Sequence, residues 1–195
     1  MADAVQVYLD AIRQWHPDRN QGNSWVERRF YCPTIHPLFY GTADFTYLDE
    51  AARKLYVWDY KHGAGIVVEA AHDDGPNPQL AYYASGALET LDLWDKVDEV
   101  SLHIAQPRGW HHAGPIRHYV MPTSDLVAWL EDTLIPAMVL TETSTEVKSG
   151  THCRFCPARL RACPAIARDM EELEAIMAAP AEKLTPAQAG RFLEL

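Results

Sequence analysis

The sequence has no apolar run near twenty residues, no internal repeat and no low-complexity tract, which argues against membrane-spanning helices, solenoids and long disordered tails. Its opening, MADAVQVYLDAIRQW, carries acidic residues and lacks the basic start and apolar block of a secretory signal, so a cytoplasmic setting is expected. Cysteine is scarce, four in 195 residues. In a reducing compartment those four are expected as thiols or metal ligands rather than disulfides. Positive charge is also short. The formal net charge of -10 argues at first against a polyanionic partner, because phosphate binding relies on lysine and arginine. The shortage is uneven, however. From Lys148 to Arg168 the chain carries Lys148, Arg154, Arg159, Arg161 and Arg168 with no acidic residue, and DMEELE follows at once. A locally basic segment of this kind can face a phosphate backbone.

With 48% hydrophobic residues over this length, one sizeable core and one main domain are expected. Val5, Tyr8, Leu9, Ile12 and Trp15 recur at the spacing of one helical face. WVERRFY, ADFTYL and KLYVWDY read as strands, the last two paired across the Asp49 to Arg53 turn, and GIVVE as a further short strand. After the DDGPNP breaker, QLAYYASGALETL reads as a helix. EVSLHIAQP and IRHYVM read as two strands around the loop RGWHHAG, and Thr123 or Ser124 can cap a long helix through Met138. A last helix is expected from about Pro164. The pattern predicts an α/β core over residues 1–145 and a C-terminal cysteine-containing appendix over 146–195, packed together. Trp94, Trp110, Trp129 and Tyr119 read as core or core-edge residues. DNA stacking is an alternative for Trp110. His111 and His112 read as turn residues without a nearby carboxylate.

The stretch GTADFTYLDEAARKLYVWDYKHG places acidic side chains away from the turn, at the far ends of two paired strands. If Asp44 begins one strand and Asp59 ends its antiparallel neighbour, the hairpin brings both carboxylates to one sheet edge. Two hard oxygen ligands side by side suit Mg²⁺ or Mn²⁺. Lys61, two residues past Asp59, points to the same face, where its ammonium can orient a water beside the metal. Cation, nucleophile and a positive charge near developing negative charge are the parts that phosphodiester hydrolysis needs. The other reading of the same spacing is a solvated hairpin whose charges face water.

GTAD, then DYK, then QLAYY resemble the successive motifs of the PD-(D/E)XK nuclease superfamily, in particular its RecB-like branch with the AddB nuclease domain and the CRISPR adaptation nucleases. Phage-borne members are the most similar, through Asp59, Lys61, Gly63, Gly65, Asn77, Pro78, Gln79, Tyr83 and the following GAL. The resemblance spans Trp25 to Cys163. It implies a restriction-endonuclease-like core, with a central mixed sheet flanked by helices, and a metal-dependent deoxyribonuclease that acts as an exonuclease or in end processing. It implies Asp44 as the metal ligand of the GxxD motif, Asp59 as the acidic ligand and Lys61 as the catalytic lysine. The Tyr60 carbonyl would complete the metal shell, and Gln79 and Tyr83 would contact or position DNA from one helical face. The upstream histidine ligand of the branch has no clear counterpart, which leaves His16 and Glu27 as the possible further ligands, or His16 as a surface or capping residue. DNA is the implied partner, with a recombination or replication factor as a further one, and the host cytoplasm is the implied location if the chain is phage-encoded.

THCRFCPARLRACPAIA holds Cys153, Cys156 and Cys163 in a C-x2-C-x6-C array, a density that points to metal binding. The family resemblance implies a [4Fe-4S] cluster on this trio plus one distant cysteine, for which Cys32 is the only choice by count. A Cys₃His zinc site completed by His152 is the alternative. Beside the nuclease reading stand two others: a catalytically silent DNA-binding or recombination accessory protein, and a zinc-stapled interaction domain.

Overall fold

A computed structural model describes residues 2–159, 161–178 and 185 of the chain, which divides into two compact units, residues 1–142 and 143–195. The first unit opens with α1 (Ala2–Trp15) and a three-strand meander, β1 (Ser24–Tyr31), β2 (Tyr40–Asp49) and β3 (Lys54–Tyr60). A two-residue hairpin, β4 (Ala71–His72) and β5 (Gly75–Pro76), leads into α2 (Pro78–Thr90). After it come β6 (Glu99–Ala105), β7 (Ile116–Pro122), α3 (Thr123–Trp129) and α4 (Ile135–Thr143). The main sheet has the order β1-β2-β3-β6-β7. Only β3 and β6 run parallel, joined by the α2 crossover, and the other neighbours are antiparallel. The protein is thus α/β, with a five-stranded mixed sheet flanked by helices.

The central parallel pair is the most apolar part of the sheet, as expected for strands covered on both faces. Leu55, Val57, Val100, Leu102 and Ile104 are fully buried with α2 residues Leu80, Ala84 and Leu88 and with Leu126 of α3. On the other face Tyr8, Ala11 and Ile12 of α1 pack with Phe45, Tyr47 and Trp58. The β2–β3 turn is set by Asp49, whose Oδ1 accepts from Ala52 N at 2.9 Å, and by Arg53 in the left-handed region at φ 51°. Asn77 caps α2, accepting from Gln79 N and Leu80 N with Pro78 at the first helical position, where its missing N–H has no intrahelical acceptor to leave unpaired.

Several expectations need correction. GIVVE forms no strand. Its polar backbone groups are met by side chains instead of a neighbouring strand: Gln106 Nε2 donates to the Ile66 carbonyl and Gln106 Oε1 accepts from Val68 N, while Arg117 donates to the Val68 carbonyl and Asn77 Nδ2 to that of Glu69. The helix after Pro122 runs past Met138 to Thr143 but widens into a π-turn over Leu130–Leu134, and neither Thr123 nor Ser124 caps it. Pro136 lacks the N–H that a regular α-helix would require there. Trp110 is 84% exposed, not a core residue, whereas Trp94, Trp129 and Tyr119 are half-buried beside the core. In α1, Tyr8 and Ile12 are buried as their spacing predicts, but Val5 and Leu9 of the same stripe remain exposed.

In the second unit a 3₁₀ turn spans Thr151–Phe155 and α5 spans Pro164–Ala178. Among the described residues no helix is long and apolar enough to cross a membrane.

Candidate active site

Backbone register brings three carboxylates into one row across the meander. The β1–β2 ladder pairs Val26 with Phe45 and Arg28 with Ala43 but skips the position between, where Glu27 lies opposite Asp44. Glu27 has φ 48°, a left-handed conformation that a non-glycine residue holds only at a cost. Ala43 packs on the α2 side of the sheet and Phe45 on the α1 side, so the alternation of β2 reverses at Asp44. The β2–β3 ladder ends at Phe45 and Trp58, and its next step sets Asp44 opposite Asp59. Where the ladder stops, Tyr60 N donates to Asp44 Oδ2 at 2.6 Å. Like charges opposed on neighbouring strands repel, and here that repulsion occurs on both sides of Asp44.

The electrostatics reflect this crowding. Burial pushes the Asp44 carboxyl above the usual carboxylate range. The Tyr60 N–H and Lys61 oppose the shift, while the charges of Asp59 and Glu27 add to it. Tyr8 reaches the same place from α1. Its phenol is raised by burial first and then by Asp44, Asp59 and Glu27, and its buried Oη has no hydrogen-bond partner. Asp59 is 4% exposed. Lys61 Nζ lies 2.8 Å from its Oδ2, but the approach lacks hydrogen-bond alignment, so that oxygen has ion-pair contact without a donor.

From Lys61 the polar chain continues into α2. Lys61 Nζ donates to Gln79 Oε1 at 2.7 Å, and Gln79 Nε2 donates to Tyr83 Oη at 2.7 Å. Gln79 sits in the first helical turn because Asn77 caps α2, and Tyr83 follows one turn later on the same face. Gly41 is required by this packing. A Cβ there would stand 2.7 Å from the Tyr83 ring, so a side chain at the first position of GTAD would displace the tyrosine that Gln79 holds. Asp59 and Lys61, grouped in the sequence by strand spacing, and Gln79 and Tyr83, added there by family resemblance, are therefore linked atom to atom, with Asp44 beside them.

Residues 1–195 match the model of a family described as "Protein of unknown function (DUF2800)". The chain belongs to the DUF2800 family. The description assigns no chemistry to this DUF2800 member.

Not every expected residue joins the site. His16 is neither a surface cap nor a neighbour of the carboxylates. It is 1% exposed inside a ring of Phe45, Tyr47, Tyr56 and Trp58, and the charged groups acting on it are Arg19 and Asp49. Its Nε2 takes the Trp58 indole N–H at 2.9 Å, which fixes Nε2 as the acceptor and occupies the lone pair a metal would need. Glu27, by contrast, stands beside Asp44.

His111, expected to lack a carboxylate partner, has one: its Nε2 lies 2.9 Å from Glu69 Oε1. Together with Arg117, which donates to the Val68 carbonyl through Nε and Nη2, it fastens the segment that follows Lys61. Sequence reasoning missed Tyr8, Gln106 and Arg117 because their roles come from partners distant along the chain. The unbroken apolar stripe of α1 gave no sign that one tyrosine hydroxyl would meet carboxylates.

Cys32 is a fully buried thiol of the first unit, 3.5 Å from Thr34 Oγ1, and burial pushes its pKa up. In the second unit Cys153 is buried, Cys163 half-buried and Cys156 exposed, with Cys156 N donating to the Cys153 carbonyl at 3.1 Å. All four are free cysteines. His152 Nε2 is 3.1 Å from the Lys148 carbonyl oxygen. Among the described residues, no group of three or more histidine, cysteine, aspartate or glutamate side chains is placed to hold a metal ion.

Proposed function

We propose that this chain is a divalent-metal-dependent deoxyribonuclease of the RecB-like PD-(D/E)XK type. The observation that carries the reading is the joined set Asp59–Lys61–Gln79–Tyr83, with Asp44 opposite Asp59 at the point where β2 and β3 part. The residues fit a hard cation: crowded carboxylates and a buried carboxylate oxygen without a donor are what a divalent ion would neutralise. Asp44, Asp59 and the Tyr60 carbonyl would hold Mg²⁺ or Mn²⁺, which supplies a water acidic enough to attack phosphorus and charge to offset that on the phosphate. Lys61 carries the positive charge nearest that position, and Gln79 fixes its ammonium. Tyr83 in turn holds Gln79, so the lysine is aimed by a chain of side chains rooted in α2.

With linear DNA and Mn²⁺ the purified protein is expected to release nucleotides, and chelation should stop it. Lys61→Ala should cut turnover by about 10²-fold or more while leaving Mn²⁺ affinity within a few-fold of the parent, because the lysine stabilises charge and does not ligate. Cleavage by Lys61→Ala at the parental rate would remove the assignment.

The cysteines of the second unit are read as ligands of a [4Fe-4S] cluster, since three thiols within a short loop supply the donor type that clusters take. Protein purified without oxygen should be brown, and Cys153, Cys156 and Cys163 should each be needed for the colour. Cys32→Ser decides the fourth ligand. Loss of colour assigns Cys32, whereas unchanged colour and iron content leaves it a core thiol. Colourless protein with one zinc would favour the trio with His152. The exposed arginines Arg159 and Arg161 of this unit are the side chains read as contacting DNA phosphates.

A further inference from the structure

We propose that the cavity between α1 and the β1–β3 meander receives the terminal nucleoside of a DNA strand, so that cleavage beside it releases mononucleotides. The inference rests on the nuclease reading and deepens it by assigning what the site holds on the α1 side of the carboxylate row. The cavity measures about 500 Å³, within the range of small-ligand sites.

Three features of its walls point to a nucleoside. The first is an apolar mouth that the fold leaves uncovered. Val5 and Leu9 continue the buried stripe of α1 yet are each 38% exposed, and Val26 across from them is 71% exposed. The second is aromatic: Tyr60, half-buried, lines the same space above the buried rings of Tyr8 and Phe45 and offers its exposed edge to a base, whose π-face stacks without regard to sequence. The third is a polar end matched to the sugar-phosphate side. Tyr8 is 9% exposed and its hydroxyl has no partner, although a buried hydroxyl without a hydrogen bond is destabilising. That group faces the end of the cavity lined by Glu27 and Asp44, where the phosphate being cleaved would stand. Arg13, ion-paired with Asp10 at 2.9 Å, and Arg19, whose Nη1 donates to the His16 carbonyl, line the remaining wall. The strained backbone of Glu27 lies at the same place, where strain is retained when a site depends on it.

The test titrates the full chain with thymidine 5′-monophosphate in the presence of Mn²⁺ and reads binding by NMR or equilibrium dialysis, independently of cleavage. The parent is expected to bind. Leu9→Trp, which fills the mouth from an exposed helical position, should weaken binding by about tenfold or more. Tyr8→Phe should also weaken binding by about tenfold while raising the melting temperature, because it removes an unpartnered buried hydroxyl. A merely structural tyrosine would instead lower the melting temperature and leave nucleotide affinity alone. Absence of binding to the parent overturns the proposal. So does parental affinity in Leu9→Trp and Tyr8→Phe, and if Leu9→Trp fails to fold, Tyr8→Phe alone decides. The two readings fail separately. Nucleotide binding sensitive to both substitutions in a protein that never cuts DNA keeps the pocket and removes the nuclease, whereas DNA cleavage with a substitution-insensitive affinity does the reverse.

Discussion

Replacing Asp44 with asparagine is expected to lower Mn²⁺-dependent DNA cleavage by about 10³-fold or more while raising the melting temperature of the metal-free protein. The two effects have one cause. Asp44 stands between Glu27 and Asp59, and its carboxyl is pushed up by burial and by both neighbouring charges, so the ionised side chain destabilises the folded state at neutral pH. Asparagine keeps an oxygen for the Tyr60 N–H and the shape of the site but removes the charge. An aspartate retained only for the fold would behave in the opposite way, with stability falling and cleavage, if present, surviving. Asp59→Asn should likewise abolish cleavage. It also removes the ion-pair partner of Lys61, so the stability gain is expected at Asp44 and not at Asp59. A parental cleavage rate in Asp44→Asn would refute the metal site, and a lower melting temperature would refute the electrostatic account.

Acid should unfold this protein steeply between pH 6.5 and 4.5 because two histidines are buried neutral. His103 is stacked on Trp58 at 4.1 Å between ring centroids, with Trp15 and His118 also against it. Its Nε2 lies 2.8 Å from Ser101 Oγ, and its Nδ1 has no partner. Burial first, and then the charges of His118, His16 and Lys54, lower its pKa to about 2. In His16, burial and then Arg19 lower the pKa to about 4, against a smaller opposing effect of Asp49. Above pH 6.5 neither state binds the proton and nothing is lost. Below it the unfolded chain protonates at these two positions while the folded one does not, so their contribution to stability falls until each folded pKa is reached, against a smaller gain from Asp44, whose raised pKa lets the folded state take up that proton first. The slope is about 1.4 kcal/mol per pH unit for each histidine, on the order of 5 kcal/mol over two units for the pair, comparable to the whole stability of many domains. Chemical denaturation across this range should show the slope roughly halved in His103→Gln and in His16→Gln. In the latter, glutamine can still accept from the Trp58 indole. An unchanged slope in both would place the acid sensitivity elsewhere.

Local chemistry wrote much of the fold into the chain. The α1 period, the Asp49–Arg53 turn, the apolar β3 and β6 runs and the Asn77–Pro78 cap each depend on neighbours a few residues away, and each appears at or close to the boundaries its residues suggest. The spacing Asp59-x-Lys61 also sufficed to place two side chains together, because alternate residues of a strand share a face. What sequence alone could not decide involves partners that only folding brings near. GIVVE has strand composition, yet the side chains of Asn77 and of Gln106 and Arg117, the last two distant along the chain, take its backbone groups and leave no ladder to form. His16 looks like a residue at a helix end, but the Trp58 indole and an aromatic ring wall make it a buried neutral base. Val5 and Leu9 carry the same apolar signal as Ile12, and whether such a side chain is covered depends on what the fold places opposite it. The row Glu27, Asp44 and Asp59 is likewise a product of strand register. No spacing along the chain encodes it, because it arises where three strands separated by two turns align and where the alternation of β2 reverses.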